Sequence, residues 1–292
     1  VHNIGLLFDV DGPIASPISR TIAIPSILSD LITLTAAGVP IAFITGRSDE
    51  FIRTEVIAPL RAAGLDEALS LPGTRMFGVF EKGASWAPIT ATGIQEVTVD
   101  ASLGLSQTVI DAVRDLLHAE FADTMFFDET KLAMISVEQR MDAAHSDFQI
   151  AQKVFNDAAF ELVASHGLGI RFGDRERPDA TGNVPFRVDP TIISTDVESV
   201  LLDKDRGAER AIEYFASLGE LPTVWRSIGD SRSDYLMADH LHAAGFDVAH
   251  LDVRPSDGIL EKPYEVLTEG DLIHDEAGAA FLSAWVDKLG LR

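Results

Sequence analysis

The sequence predicts an α/β fold, a parallel sheet with helices on both faces, interrupted by an inserted α+β module. Apolar runs of strand length alternate with amphipathic stretches of helix length over the first 80 residues. That rhythm breaks between about Lys82 and Leu202 and resumes after Asp203. A chain of 292 residues is long enough for one or two domains with a sizeable core.

The run Ile4-Gly5-Leu6-Leu7-Phe8 reads as a buried strand ending in Asp9-Val10-Asp11-Gly12. Helical spacing over about 19–37, stopped by Gly38, predicts the first helix. Val39 to Ile44 is a second strand that runs into Thr45-Gly46-Arg47-Ser48, and a helix follows from about Asp49 to Ala63 before Gly64. In the middle region, extended segments cluster near 84–99, 124–137, 168–173 and 184–201. Helical patterns at about 106–121 and 143–166 separate them. Strands in adjacent pairs predict antiparallel pairing, and 173–185, rich in charge, Gly and Pro, reads as an exposed loop. The last third predicts helix 207–218, strand 224–228, helix 231–244, strand 246–253 and helix 276–289. No internal repeat or low-complexity tract is present.

Twenty-three basic against 46 acidic residues give a formal net charge of −23, and only six of the basic residues are lysines. Such a balance argues against a nucleic-acid backbone or an anionic membrane surface as partner. It leaves room for a small anionic substrate, because a divalent cation inverts the field locally. The absence of cysteine removes disulfides, thiolate nucleophiles and thiolate-bound zinc. No apolar run approaches the roughly 18 to 20 residues of a membrane span. No basic-then-apolar leader precedes the first strand, so the expectation is a soluble cytoplasmic protein.

The chemistry gathers at strand ends. Two carboxylates one residue apart, Asp9 and Asp11, repel unless a cation or a shared proton compensates, so the first strand end calls for a metal. Thr45-Gly46-Arg47 offers a hydroxyl and backbone N–H groups at a helix start, which can hold an anion. Asp203-Lys204 offers a point cation just before a helix. Gly229-Asp230-Ser231-x-x-Asp234 is a further strand running into a helix with two acids. A carboxylate nucleophile, a hard divalent cation and fixed donors are what phosphoryl transfer requires.

These four segments, in this order, resemble the four motifs of the haloacid dehalogenase (HAD) superfamily of phosphohydrolases. The insert resembles the C2, or type IIB, cap of that superfamily, found in Cof-like, sucrose-phosphate, trehalose-phosphate and mannosyl-3-phosphoglycerate phosphatases. Val79-Phe80-Glu81-Lys82-Gly83-Ala84 looks like the signature where such caps begin. The resemblance covers essentially the whole chain. It implies a Rossmann-like core over 1–81 and 203–292 and a cap over 82–202. It further implies a Mg²⁺-dependent phosphatase acting on a small phosphorylated metabolite, with a sugar phosphate as the preferred class. Asp9 would be the nucleophile and Asp11 the general acid and base. Asp9, Asp230 and the backbone carbonyl of Asp11 would ligate Mg²⁺, with Asp234 orienting its surroundings. Thr45, Gly46 and Lys204 would hold the phosphoryl group, and Arg47, Lys82 and Lys131 are candidate substrate contacts.

The sequence departs from the family pattern at three places. Pro13 stands where a Thr or Ser is usual, Lys82 replaces an Asn, and Asp203-Lys204-Asp205-Arg206-Gly207 leaves Arg206 as an alternative cation to Lys204. His240 and His242 fall on different faces of their helix and read as ordinary side chains. A phosphomutase of the same fold, or a non-catalytic sugar-phosphate-binding protein, would share most of these motifs.

Overall fold

A computed structural model describes residues 2–292. In chain order the strands are β1 (Gly5–Phe8), β2 (Ile41–Ile44), β3 (Met76–Phe80), β4 (Ser85–Thr90), β5 (Gly93–Ile94) and β6 (Thr98–Val99). Next come β7 (Met125–Phe127), β8 (Ile135–Gln139), β9 (Ile170–Phe172), β10 (Arg175–Arg177), β11 (Phe186–Pro190) and β12 (Ser194–Ser199). The last are β13 (Val224–Gly229), β14 (Asp247–Asp252) and β15 (Glu265–Leu267). The helices are α1 (Pro25–Ala36), α2 (Asp49–Ile52), α3 (Ala58–Ala62), α4 (Leu65–Leu69), α5 (Gln107–Glu120) and α6 (His145–Ser165). After them come α7 (Lys204–Leu218), α8 (Tyr235–Ala243) and α9 (His274–Lys288).

The chain divides into two compact units, residues up to Thr98 with Asp203–Arg292, and Val99–Leu202. The first unit holds a sheet of order β15-β14-β13-β1-β2-β3-β4-β5, with β6 paired to β4. From β15 to β3 every pairing is parallel; β3, β4 and β5 are antiparallel. Side chains alternate between two cores, as the period of two in a strand requires. Leu6, Phe8, Ile41 and Phe43 pack with Leu31 and Leu34 of α1 and Phe281 and Leu282 of α9. Leu7, Ala42, Ile44 and Phe77 pack with Ala208, Ala211 and Phe215 of α7 and Met237 and Leu241 of α8. Both faces of the sheet are therefore covered by helices, the α/β architecture expected.

The second unit is a six-stranded sheet, order β10-β9-β11-β12-β8-β7, in which β9 and β11 are parallel and the other pairs antiparallel. Val109, Val113 and Leu117 of α5 and Phe148, Phe155 and Phe160 of α6 form its core with Ile135, Val137, Val188 and Val197.

Several boundaries differ from the sequence reading. Residues 82–98, expected with the insert, add β4 and β5 to the edge of the first unit's sheet. The first helix starts at Pro25 rather than near Ser19, since proline fits the first helical turn but not a helix interior. Between α2 and α3 the helix widens to a π turn at Arg53–Ile57, ahead of Pro59, which cannot donate the usual i→i−4 bond. Within the expected loop 173–185, Arg175–Arg177 pairs with β9 as strand β10. Its Arg175 lies over the Phe160 and Phe172 rings, 4.8 and 5.3 Å from their centroids.

Candidate active site

The strand β1 lies between β13 and β2, and its chain continues to β2 on one side while β13 returns on the other. Such a switch point opens a crevice at the carboxyl ends of the strands. Asp9, Thr45 and Asp230 all emerge there, directly after β1, β2 and β13. The Asp9 N–H donates to the Ile228 carbonyl at 2.8 Å, and the Thr45 N–H to that of Val79 at 3.0 Å. The backbone at both residues is thus tied to neighbouring strand ends.

Lys204 enters from the first turn of α7, whose N-cap Asp203 accepts its backbone N–H at 2.9 Å. Its buried ammonium donates to Asp9 Oδ1 at 2.6 Å and the Ile44 carbonyl at 2.9 Å, and it pairs with Asp234 Oδ1 at 2.7 Å. Arg206 is not at this position: it pairs with Glu209 at 3.4 Å and lies against Gly83. The geometry separates the two cations that the motif alone left open.

Asp234 has both oxygens engaged. Oδ2 accepts the N–H groups of Asp230 and Ser231 at 3.0 and 2.9 Å and the Ser231 hydroxyl at 2.8 Å. With Ser231 it closes a capping box at the start of α8's lead-in turn, so it also fixes the loop that carries Asp230. Asp230 is pressed against Gly12: a Cβ on Gly12 would lie 2.9 Å from Asp230 Oδ2, and Gly12 has a φ of +100°. Only glycine fits both demands.

Asp9, Asp230 and Asp234 bring carboxylate oxygens within 4.8 Å of one another, the only such cluster of three or more metal-competent residues among the described residues. Burial, then the Asp234 charge, pushes the Asp9 carboxyl well above its ordinary range, against the pull of Lys204. The same two causes raise Asp230 to about 6, with Arg254 and Lys204 opposing. Burial also works against the charges of Lys204 and Asp234, yet their mutual attraction raises the one and lowers the other. Three acids with one buried cation remain under-neutralised, and an all-oxygen donor set suits a hard divalent ion such as Mg²⁺. The residues present fit the ion that the resemblance implies.

Asp11 points elsewhere. Arg47 donates to it through Nε at 3.0 Å and Nη2 at 3.3 Å, and the guanidinium lies 4.8 Å from the centroid of the Phe51 ring. Its carboxylate is therefore outside the acidic trio, and Arg47, expected among substrate contacts, holds Asp11. Thr45 Oγ1 accepts the Arg47 N–H at 3.0 Å, which leaves its own hydrogen to donate. Lys82 adopts a left-handed conformation, donates its N–H to the Thr45 carbonyl at 3.0 Å and runs past Gly46. Lys131 belongs to the second unit, where it pairs with Asp128 at 3.8 Å.

Sequence reasoning missed Arg254, which pairs with Asp230 at 3.8 Å, and His250, buried on β14 behind the site. The His250 ring accepts or donates at Ser227 Oγ, 2.8 Å from its Nδ1, and lies 4.2 Å from the Tyr235 ring centroid. Neither residue belongs to a recognisable motif. No helix among the described residues is long and apolar enough to cross a membrane.

No protein-family model and no curated protein sequence matches the chain. Solved structures do. The C-terminal domain of trehalose-6-phosphate phosphatase from C. albicans superposes with a TM-score of 0.63 at 13% identity, over 97% of this chain and 92% of that one. A haloacid dehalogenase-like hydrolase from Bacteroides thetaiotaomicron gives 0.60 at 11% identity, over 98% and 100%. A sugar phosphatase of HAD subclass IIB gives 0.55 at 16% identity, over 99% of both chains. At such identities the likeness is one of fold. The chain has the fold of the haloacid dehalogenase-like hydrolases, with an α+β unit inserted between its second and third motif segments.

Proposed function

We propose that this protein is a Mg²⁺-dependent phosphomonoester hydrolase that works through an aspartyl-phosphate on Asp9. The observation that carries the reading is the buried Asp9 at the switch point, ion-paired to Lys204 and crowded by Asp230. Asp9 and Asp230 would hold the ion through their carboxylates, with Asp234 clamping the Asp230 loop. When bound, the ion neutralises their repulsion and polarises a phosphoryl oxygen.

Asp9 attacks phosphorus as its carboxylate, and the bond from phosphorus to the leaving oxygen breaks. Asp11, released from Arg47 and protonated, gives that oxygen its proton. Asp11 then takes a proton from the water that attacks the aspartyl-phosphate, so inorganic phosphate leaves and Asp9 is restored. Lys204 and the Thr45 hydroxyl stabilise charge on the transferring oxygens. The inserted unit would act as the cap that selects the leaving group, with Lys131 a candidate contributor.

A phosphorylated sugar or related metabolite is the proposed substrate class, supported by fold neighbours that are trehalose-6-phosphate and sugar phosphatases. The test is phosphate release from p-nitrophenyl phosphate and a panel of phosphorylated sugars in Mg²⁺, with wild type and Asp9→Asn. Turnover that is lost in Asp9→Asn and in chelator is expected. Binding of phosphosugars without any turnover would sink the enzyme reading.

A further inference from the structure

Arg254 follows β14, at the same carboxyl edge as Asp230 and one strand further out. Its backbone N–H donates to Asp252 Oδ1 at 2.8 Å, which fixes where the side chain starts. One guanidinium nitrogen lies 3.8 Å from Asp230 Oδ2, too far for a hydrogen bond; another lies 2.6 Å from Asp257 Oδ2. The Nε is buried and makes no hydrogen bond. Arg232 secures the Asp257 turn by donating to its carbonyl at 3.3 Å. Asp230 is thus held between the Gly12 backbone on one side and a cation shared with Asp257 on the other.

We propose that Arg254 is a resident counter-cation of the acidic site that competes with the divalent ion for Asp230 and so sets how tightly that ion is held. The inference rests on the metal reading above. Asp9, Asp230 and Asp234 carry three negative charges if all are ionised, against Lys204 alone. Arg254 cuts the excess of two to one, and it repels a divalent ion arriving at Asp230. Asp257 is the counterweight, because it draws the guanidinium away from Asp230. Neutralising either partner should therefore move metal affinity in opposite directions. A loop-fixing ion pair with no part in metal binding would instead give two variants of equally reduced stability and unchanged affinity.

The experiment measures Mn²⁺ binding without substrate, by titration calorimetry and by the electron paramagnetic resonance of free Mn²⁺, in wild type, Arg254→Gln, Arg254→Lys and Asp257→Asn. Thermal unfolding of each variant is followed alongside. Arg254→Gln should bind roughly tenfold more tightly, Arg254→Lys close to wild type and Asp257→Asn several-fold more weakly. Unchanged affinity in Arg254→Gln and Asp257→Asn, with wild type binding normally, overturns the role of Arg254 and leaves the metal site standing. Absence of binding by wild type overturns both.

Discussion

Lys204 donates its ammonium to Asp9 and the Ile44 carbonyl and forms an ion pair with Asp234. A guanidinium is larger and planar and cannot replace it in a buried pocket of this shape. Removing the cation leaves buried carboxylates without compensation, a loss of about 3–5 kcal/mol in comparable pairs. Lys204→Met is therefore expected to lower the chemical-denaturation midpoint and to reduce phosphatase turnover by about 10²-fold or more. The double variant Asp9→Asn, Lys204→Met should regain part of the stability but none of the activity, because the two side chains interact directly. Unfolding curves and initial rates on the three variants check this; equal stability of Lys204→Met and wild type would contradict it. At this scale the sequence was informative wherever chemistry is packed into contiguous residues, as in Asp9-Val10-Asp11-Gly12 and Gly229-Asp230-Ser231. Arg254 is a lone arginine before a proline, and only the pairing of β14 beside β13 brings it to Asp230.

Among the elements, β13, β14 and α8 enclose a buried polar layer behind the site. His250 is fully buried, and burial lowers its ring to about 4. An unfolded histidine titrates near roughly 6.5. Between those values the unfolded chain binds the extra proton, so the stability this group contributes is present above about pH 6.5 and lost as pH falls toward 4. Asp230, raised to about 6 in the metal-free protein, acts in the opposite sense. There the folded chain holds the extra proton, and stability falls as pH rises from roughly 4 to about 6. In chelator, His250→Asn should flatten the acid-side loss relative to wild type by up to about 3 kcal/mol across its window. Asp230→Asn should steepen it. Urea midpoints measured from pH 4 to 7 separate the two; parallel profiles for all three proteins would refute the assignment.

Element boundaries were only partly legible, and several of the differences turn on contacts with residues outside the segment. The β4–β5 hairpin reads as strand from its residues, but nothing in them says which sheet they will join. Strand β10 is Arg-Glu-Arg, exposed and without an apolar pattern to mark it, and its Arg175 lies over the rings of nearby Phe172 and of Phe160 in α6. Helix α9 closes on the Asp11 loop through Gly278, where a Cβ would lie 1.9 Å from the Pro13 carbonyl oxygen. That approach spans more than 260 positions of sequence and is invisible in either segment.

Across the whole molecule the parallel sheet does the organising. Segments some 195 residues apart supply Asp9 and Lys204, and the strand order sets them side by side. The net charge of −23 makes a resident set of cations at one crevice conspicuous: Lys204, Arg47 and Arg254 each face a carboxylate there. The α/β class was readable because strand and helix periods alternate, whereas the start of the insert was not, since 82–98 continue the first unit's sheet. The leaving group was not readable, since no motif in the inserted unit names a ligand. The central claim is that Asp9 carries the phosphoryl group, and trapping it covalently is the most direct measurement. Asp11→Asn is mixed with Mg²⁺ and p-nitrophenyl phosphate, quenched in acid within the first turnover, digested and analysed by mass spectrometry. A phosphoryl adduct on the peptide that holds Asp9, absent from Asp9→Asn, is the expected result. Release of phosphate by wild type with no adduct on that peptide at any quench time, and undiminished turnover by Asp9→Asn, would contradict it.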